Sequence, residues 1–186
     1  MPNYDDITNL VSILFTMREP YEHHGPAVAQ LVKQMCHAMG MSREESKLIE
    51  VGAYLHDIGK LRLSSELFNN PRKLTPNERE QVQLHAPLGW AITEQAGYDK
   101  VVLDIVRHHH ENWDGSGYPD GLKETDIPQA ARIVHICDVY QSMTNSRSYR
   151  DGYSYPFVID FMKQGAGKQY DPDLLELFFT KVAIHE

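Results

Sequence analysis

The sequence has 186 residues, 41% of them hydrophobic, which fits one soluble domain with a single sizeable core and excludes a disordered chain. A formal charge of −8 excludes the basic stripe of a general nucleic-acid-binding surface, so duplex nucleic acid is not an expected partner. No stretch has the apolar length of a membrane span, and the start Met1-Pro2-Asn3-Tyr4-Asp5-Asp6 lacks the basic region of a signal peptide, so a cytoplasmic protein is expected. Cys36 and Cys137 have no metal-site spacing and fall in apolar helical patterns, as buried free thiols of a reducing compartment would.

In chain order the elements read as helices. Ile7, Leu10, Val11, Leu14 and Phe15 keep a helical period, as do Val28, Leu31, Val32, Met35 and Met39 up to a stop at Gly40. Ser42, with Glu45 three residues on, forms a capping-box pattern opening a helix through Leu48, Ile49 and Ala53. Thr75-Pro76-Asn77-Glu78 starts another, with proline at a tolerated first-turn position, and that helix delivers His85. Val101, Val102, Ile105 and Val106 define one that runs into His108-His109-His110. A strongly apolar helix from Pro128 to about Asn145 carries Asp138, and Pro156–Met162 and Leu174–Val182 close the chain. Alternating strand patterns, internal repeats and low-complexity linkers are absent. The expected fold is all-α, a compact bundle of about seven or eight helices with a central metal site. It is one domain over residues 1–186, with residues 1–18 as an N-terminal helical extension and no room for a complete second domain.

The chemistry-bearing residues are His24, His56-Asp57, His85, His109-His110 and Asp138. Imidazoles and carboxylates without a thiolate suit iron, manganese or zinc held for hydrolysis rather than a structural zinc site. In His56-Asp57-Ile58-Gly59-Lys60, neighbours on a helix do not share a face, but a helix end can turn both side chains toward one ion, with Gly59 supplying backbone freedom. The two oxygens of Asp57 can join two cations, and Lys60 adds a positive charge beside them. A polar turn ending an amphipathic helix is the alternative for this string. The histidine run passes into Asp114-Gly115-Ser116-Gly117-Tyr118-Pro119, a loop shaped by glycine and proline; an incidental surface cluster is its alternative.

These strings, together with Lys73-Leu74-Thr75, Gly89 and Arg147-Ser148-Tyr149-Arg150, stand in an order and spacing that resembles the HD-GYP subgroup of the HD-domain metal-dependent phosphohydrolases. The resemblance runs from about Tyr21 to Pro172. It implies a phosphodiesterase acting on cyclic di-GMP or a related cyclic dinucleotide at a centre of two or three metals. One ion would be held by His24, His56, Asp57 and Asp138, the other by Asp57, His85, His109 and His110. A hydroxide bridging two ions, iron or manganese ahead of zinc, nickel or magnesium, would be the nucleophile. Asp57 and Lys60 are then the catalytic residues. Lys60, Arg147 and Arg150 would engage phosphate, guanidinium being suited to paired donation. Tyr118 would either stack on a guanine or pack the loop onto the bundle. The resemblance is also compatible with a regulatory protein partner or a homodimer.

The chain departs from the family pattern in three places. Three-metal members carry a Glu four residues before the first histidine, where this chain has Pro20, so two ions are expected unless Glu19 or Glu22 substitutes; His23 rivals His24 as the first ligand. Gln141 replaces a second Asp three residues after Asp138 and supplies no charge. Arg72 replaces a Gly and would either help bind phosphate or narrow the entrance. Two other function classes therefore stay open: a low-turnover metal- and nucleotide-binding sensor or interaction module, and another HD-domain nucleotide phosphohydrolase. His37, His108, His135 and Trp113 are read as structural.

Overall fold

The computed structural model describes residues 24–69, 72–145 and 152–183. Among them are eight helices of at least two turns: α1 His24–Ala38, α2 Arg43–Leu55, α4 Pro76–Gln83, α5 His85–Gln95, α6 Lys100–His108, α7 Gln129–Thr144, α8 Tyr155–Gln164 and α9 Pro172–Lys181. A single turn, α3 Glu66–Asn69, and two 3-10 segments, Ile58–Arg62 and Glu124–Asp126, complete the set, and no strand occurs among the described residues. The fold is all-α, as the periodicity anticipates. The helix expected over Ile7–Phe15 lies outside the described residues.

Local chemistry explains most boundaries. The first helix buries Val28, Val32, Met35 and Cys36 and ends at Gly40, whose φ of +70° costs no side-chain clash. Gly40 N–H donates to His37 O and Met41 N–H to Cys36 O, the paired bonds of a Schellman motif. Both expected capping boxes form, Ser42 with Glu45 and Thr75 with Glu78, the latter with Pro76 just inside the helix.

One boundary differs from the sequence reading. The helix begun at Thr75 does not run through His85; it stops at Leu84, and His85 opens α5. Pro87 has no N–H for the carbonyl of Gln83, and its ring would collide with that carbonyl in a continuous helix. The break re-aims the chain just before the histidine.

The core is built on α7, which buries Ile133, Val134, Ile136 and Cys137 against α1, α2, α8 and α9. A smaller cluster of Val51, Leu55, Ile58, Tyr98, Val102 and Val106 joins α2 and α6 beneath the 3-10 segment. Cys36 and Cys137 are buried free thiols, and burial pushes the Cys36 pKa up to about 11. At Gly59 a Cβ would meet His85 O at 1.9 Å and Gly89 N at 2.5 Å, so the 3-10 segment lies directly on the start of α5. Gly59 has no positive φ; its role here is the missing side chain rather than the backbone freedom expected of it.

Candidate metal centre

The start of α1, the ends of α2 and α6, the start of α5 and the middle of α7 converge on one buried cluster. His56, Asp57, His85 and His109 are each no more than 5% exposed, Asp138 is 9% exposed, and His24 and His110 are half-buried. One ligand atom from each of Asp57, His85, His109 and His110 lies within 4.8 Å of the others, and the same holds for His24, His56 and Asp57. Asp138 joins the second group, with Oδ1 3.0 Å from His24 Nε2 and 3.9 Å from His56 Nε2. Asp57 belongs to both: Oδ2 is 3.5 Å from His56 Nε2 and Oδ1 is 3.5 Å from His85 Nε2.

The hydrogen bonds at the far side of each ring set which nitrogen faces the cluster. Nδ1 lies 2.6 Å from Ala53 O in His56, 2.7 Å from Val82 O in His85 and 3.0 Å from Val106 O in His109. A carbonyl only accepts, so Nδ1 carries a proton in each and Nε2 turns inward, as a lone pair wherever the ring is neutral. His85 Nε2 and His109 Nε2 then face each other at 3.3 Å, two lone pairs in mutual repulsion. His56 Nε2 and Asp57 Oδ1 are buried with no hydrogen-bond partner among the described residues. Repelling lone pairs and orphaned buried polar atoms cost stability, and a cation among them would relieve both, so the residues present fit a metal.

Electrostatics agree. Burial holds His85 below the usual imidazole range, and burial with neighbouring imidazoles holds His109 and His110 well below it, in the neutral ligand form. His56 differs: burial lowers it, but the Asp57 and Asp138 carboxylates outweigh burial and lift the pKa to about 9, so without a cation its Nε2 also holds a proton. For Asp57, burial favours the acid form and is outweighed by Lys60 and His56; for Asp138 the hydrogen bond and charge of His24 do the same, so both remain well below the carboxylate range.

Lys60 Nζ pairs with Asp57 Oδ2 and lies 5.8 Å from the centre of the Phe68 ring. The Tyr118 ring stacks on His110 at 4.8 Å, covering one of its faces as the loop-packing alternative requires. Burial and the Asp57 and Asp138 charges push its hydroxyl pKa up, so it stays protonated. Arg147 and Arg150, expected on phosphate, lie outside the described residues, as do Glu19, Pro20, Glu22 and His23. Arg72, expected either to help bind phosphate or to narrow the entrance, is engaged by both carboxylate oxygens of Glu78.

Several residues make contacts that the sequence reading did not assign to them. Gln141 Oε1 lies 2.5 Å from His24 Nδ1, and His135 Nδ1 donates to His109 O at 2.6 Å. Glu111, 2% exposed, accepts the backbone N–H groups of Asp120, Gly121 and Leu122, and a Cβ at Gly117 would strike His110 O at 2.5 Å. Asp120 is held by Arg107 and His108. The loop is thus fastened on both sides to the stretch that carries His108, His109 and His110. Trp113 packs under Arg132, in keeping with a structural role.

Residues 9–174 match the family model described as HD domain, and the chain belongs to the HD-domain family. Within it, the chain is of the HD-GYP type that its motifs resemble. It is 32% identical over 176 residues to the cyclic di-GMP phosphodiesterase of Thermotoga maritima, covering 93% of this chain and 48% of that protein. It is 32% identical over 156 residues to the 3'3'-cGAMP-specific phosphodiesterase 2 of Vibrio cholerae, covering 83% of this chain and 30% of that protein. The chain therefore spans less than half the length of these relatives. A solved HDG"Y"P protein from Bdellovibrio bacteriovorus has the same fold, with a TM-score of 0.71 at 18% identity over 94% of this chain and 62% of that one. No helix among the described residues is long and apolar enough to cross a membrane.

Proposed function

We propose that this chain is the catalytic unit of a metal-dependent phosphodiesterase that opens cyclic di-GMP or a related cyclic dinucleotide, using two divalent ions, iron or manganese ahead of other metals. The observation that carries the reading is Asp57, whose two oxygens face two separate groups of imidazoles. His24, His56, Asp57 and Asp138 would hold one ion and Asp57, His85, His109 and His110 the other. Such a pair of cations, when bound, supplies an activated water and neutralises charge on a phosphoryl group.

The chain's own residues do the rest. Nδ1 bonds to backbone carbonyls fix the ring planes of His56, His85 and His109, so the ligand geometry is set before substrate arrives. Lys60, paired with Asp57, places an ammonium where a phosphoryl oxygen can share it as negative charge builds. Tyr118 closes the loop side over His110 and carries a neutral O–H donor. The names of the two curated relatives, each a cyclic dinucleotide phosphodiesterase, support this substrate class.

The test is anaerobic loading with Fe(II) or Mn(II), elemental analysis, and chromatography of products from cyclic di-GMP and 3'3'-cGAMP. Two ions per chain and a linear dinucleotide or mononucleotide product, abolished by chelation, are expected. Nucleotide binding without turnover would leave a sensor module instead, and two bound ions with no nucleotide binding would reject the substrate class.

A further inference from the structure

Three imidazoles of the cluster, those of His56, His85 and His109, are oriented by carbonyls three or four residues earlier in their own stretch of chain. His24 is different. It is the first residue of α1 and half-buried, and its Nδ1 meets a side chain 117 positions away, Gln141 of α7. Gln141 is itself 5% exposed, one helical turn beyond Asp138, whose carboxylate meets the other nitrogen of the same ring.

Resting on the two-ion reading above, we propose that Gln141 is a positioning residue for His24, and that, being a rotatable side chain rather than a backbone carbonyl, it makes the ion held by His24, His56, Asp57 and Asp138 the more exchangeable of the two. One physical difference leads there, and a second sets what a carboxylate at position 141 would do. A backbone carbonyl of a helix end has no rotamers, whereas the glutamine side chain has three rotatable bonds and must be ordered to hold the ring. A carboxylate behind a ligating imidazole draws on the Nδ1 proton and raises the ring's donor strength; an uncharged amide oxygen accepts the same bond without that gain. His24 is therefore less firmly aimed than His56, His85 and His109, and, like them, a weaker donor than a carboxylate-backed histidine would be. The ions on either side of Asp57 need not respond alike to a change at Gln141, because His85, His109 and His110 take nothing from it.

The experiment is graded removal of Mn(II) from the loaded chain with a competing chelator, following ions per chain by elemental analysis. The unmodified protein should lose one ion well before the other, and anomalous scattering from crystals held at one ion per chain should place the survivor among Asp57, His85, His109 and His110. Gln141→Met, which keeps the volume and removes the acceptor, should weaken the first-lost ion by about tenfold to a hundredfold and leave the other nearly unchanged. Gln141→Glu should move the same ion in the opposite direction. Circular dichroism reports whether each variant keeps its helices; should Gln141→Met fail to fold, the graded removal and the location of the surviving ion in the unmodified chain decide the matter. The proposal is overturned if both ions leave together, if the survivor sits at His24, or if a folded Gln141→Met holds both ions as the unmodified chain does. A chain that binds no Mn(II) at all would overturn the metal-centre reading itself, a result distinct from any of these.

Discussion

Gly59→Ala tests whether the glycine contact between the 3-10 segment and α5 sets the metal geometry. The added Cβ would lie 1.9 Å from His85 O and 2.5 Å from Gly89 N, both backbone atoms that cannot rotate aside, whereas ordinary contact begins near 3.4 Å. Relief requires the start of α5 to move by about 1.5 Å relative to Asp57, and overpacking of this kind costs roughly 1–3 kcal/mol. For a chain of this size that lowers the melting temperature by about 2–12 °C. The displacement acts on the residue whose Nε2 lies 3.5 Å from Asp57 and 3.3 Å from His109, so the ion of that group should weaken more than the ion at His24. Elemental analysis alongside thermal melting reads both effects. Full metal content with an unchanged melting temperature would show that the glycine contact is not what seats His85.

Asp57→Asn should lower metal content toward one ion per chain or none and remove turnover, since the bridge loses its charge; unchanged metal content would exclude Asp57 from the bridge. Arg147→Ala should leave metal content and helicity near normal while weakening cyclic dinucleotide binding by about 1.5–3 kcal/mol, the range for a hydrogen bond to a charged group. Hydrolysis of a small chromogenic phosphodiester should persist in that variant, and equal loss on both substrates would assign Arg147 to the metal centre or the fold. In the metal-free chain, the lowered pKa values of His85, His109, His110 and His135 make stability complete above about 6.5 and progressively lost below it, because the unfolded chain then binds protons that the folded chain refuses. His56, raised to about 9, works the other way, contributing below about 6.5 and fading toward 9. The four outweigh the one, so the melting temperature of chelator-treated protein should fall between pH 7 and pH 5.5; a flat or rising profile would refute the neutral-histidine description.

Much of this centre is legible in the sequence because its strongest signals are local. The Ser42 and Thr75 capping boxes, the stop at Gly40 and the apolar period of α7 each depend on residues a few positions apart, and all appear as read. The break at Leu84 was also encoded, in Pro87, but a capping box upstream argues for a helix more loudly than a proline three residues beyond argues for its end. Gly59 shows a different limit: a glycine says that something is permitted there, and only the fold says whether it is a dihedral angle or the approach of another segment. Gln141 and Glu111 lay beyond reach for a third reason. Their partners are an imidazole 117 positions away and three amides around a turn, and no periodicity marks a side chain whose value lies in a distant acceptor or donor.

The buried Glu111 carboxylate has a consequence for redesigning the loop. Because it gathers three successive amides, and because Gly117 leaves no room above His110, residues 111–122 behave as a cassette with two fixed clasps and an exposed crest. Libraries aimed at the ligand preference proposed above would keep Glu111, Gly117 and Asp120 constant and vary the exposed Asp114 and Ser116. Randomising the clasps would scatter the histidines together with the loop, and every clone so made would report a broken metal centre whatever its crest could recognise.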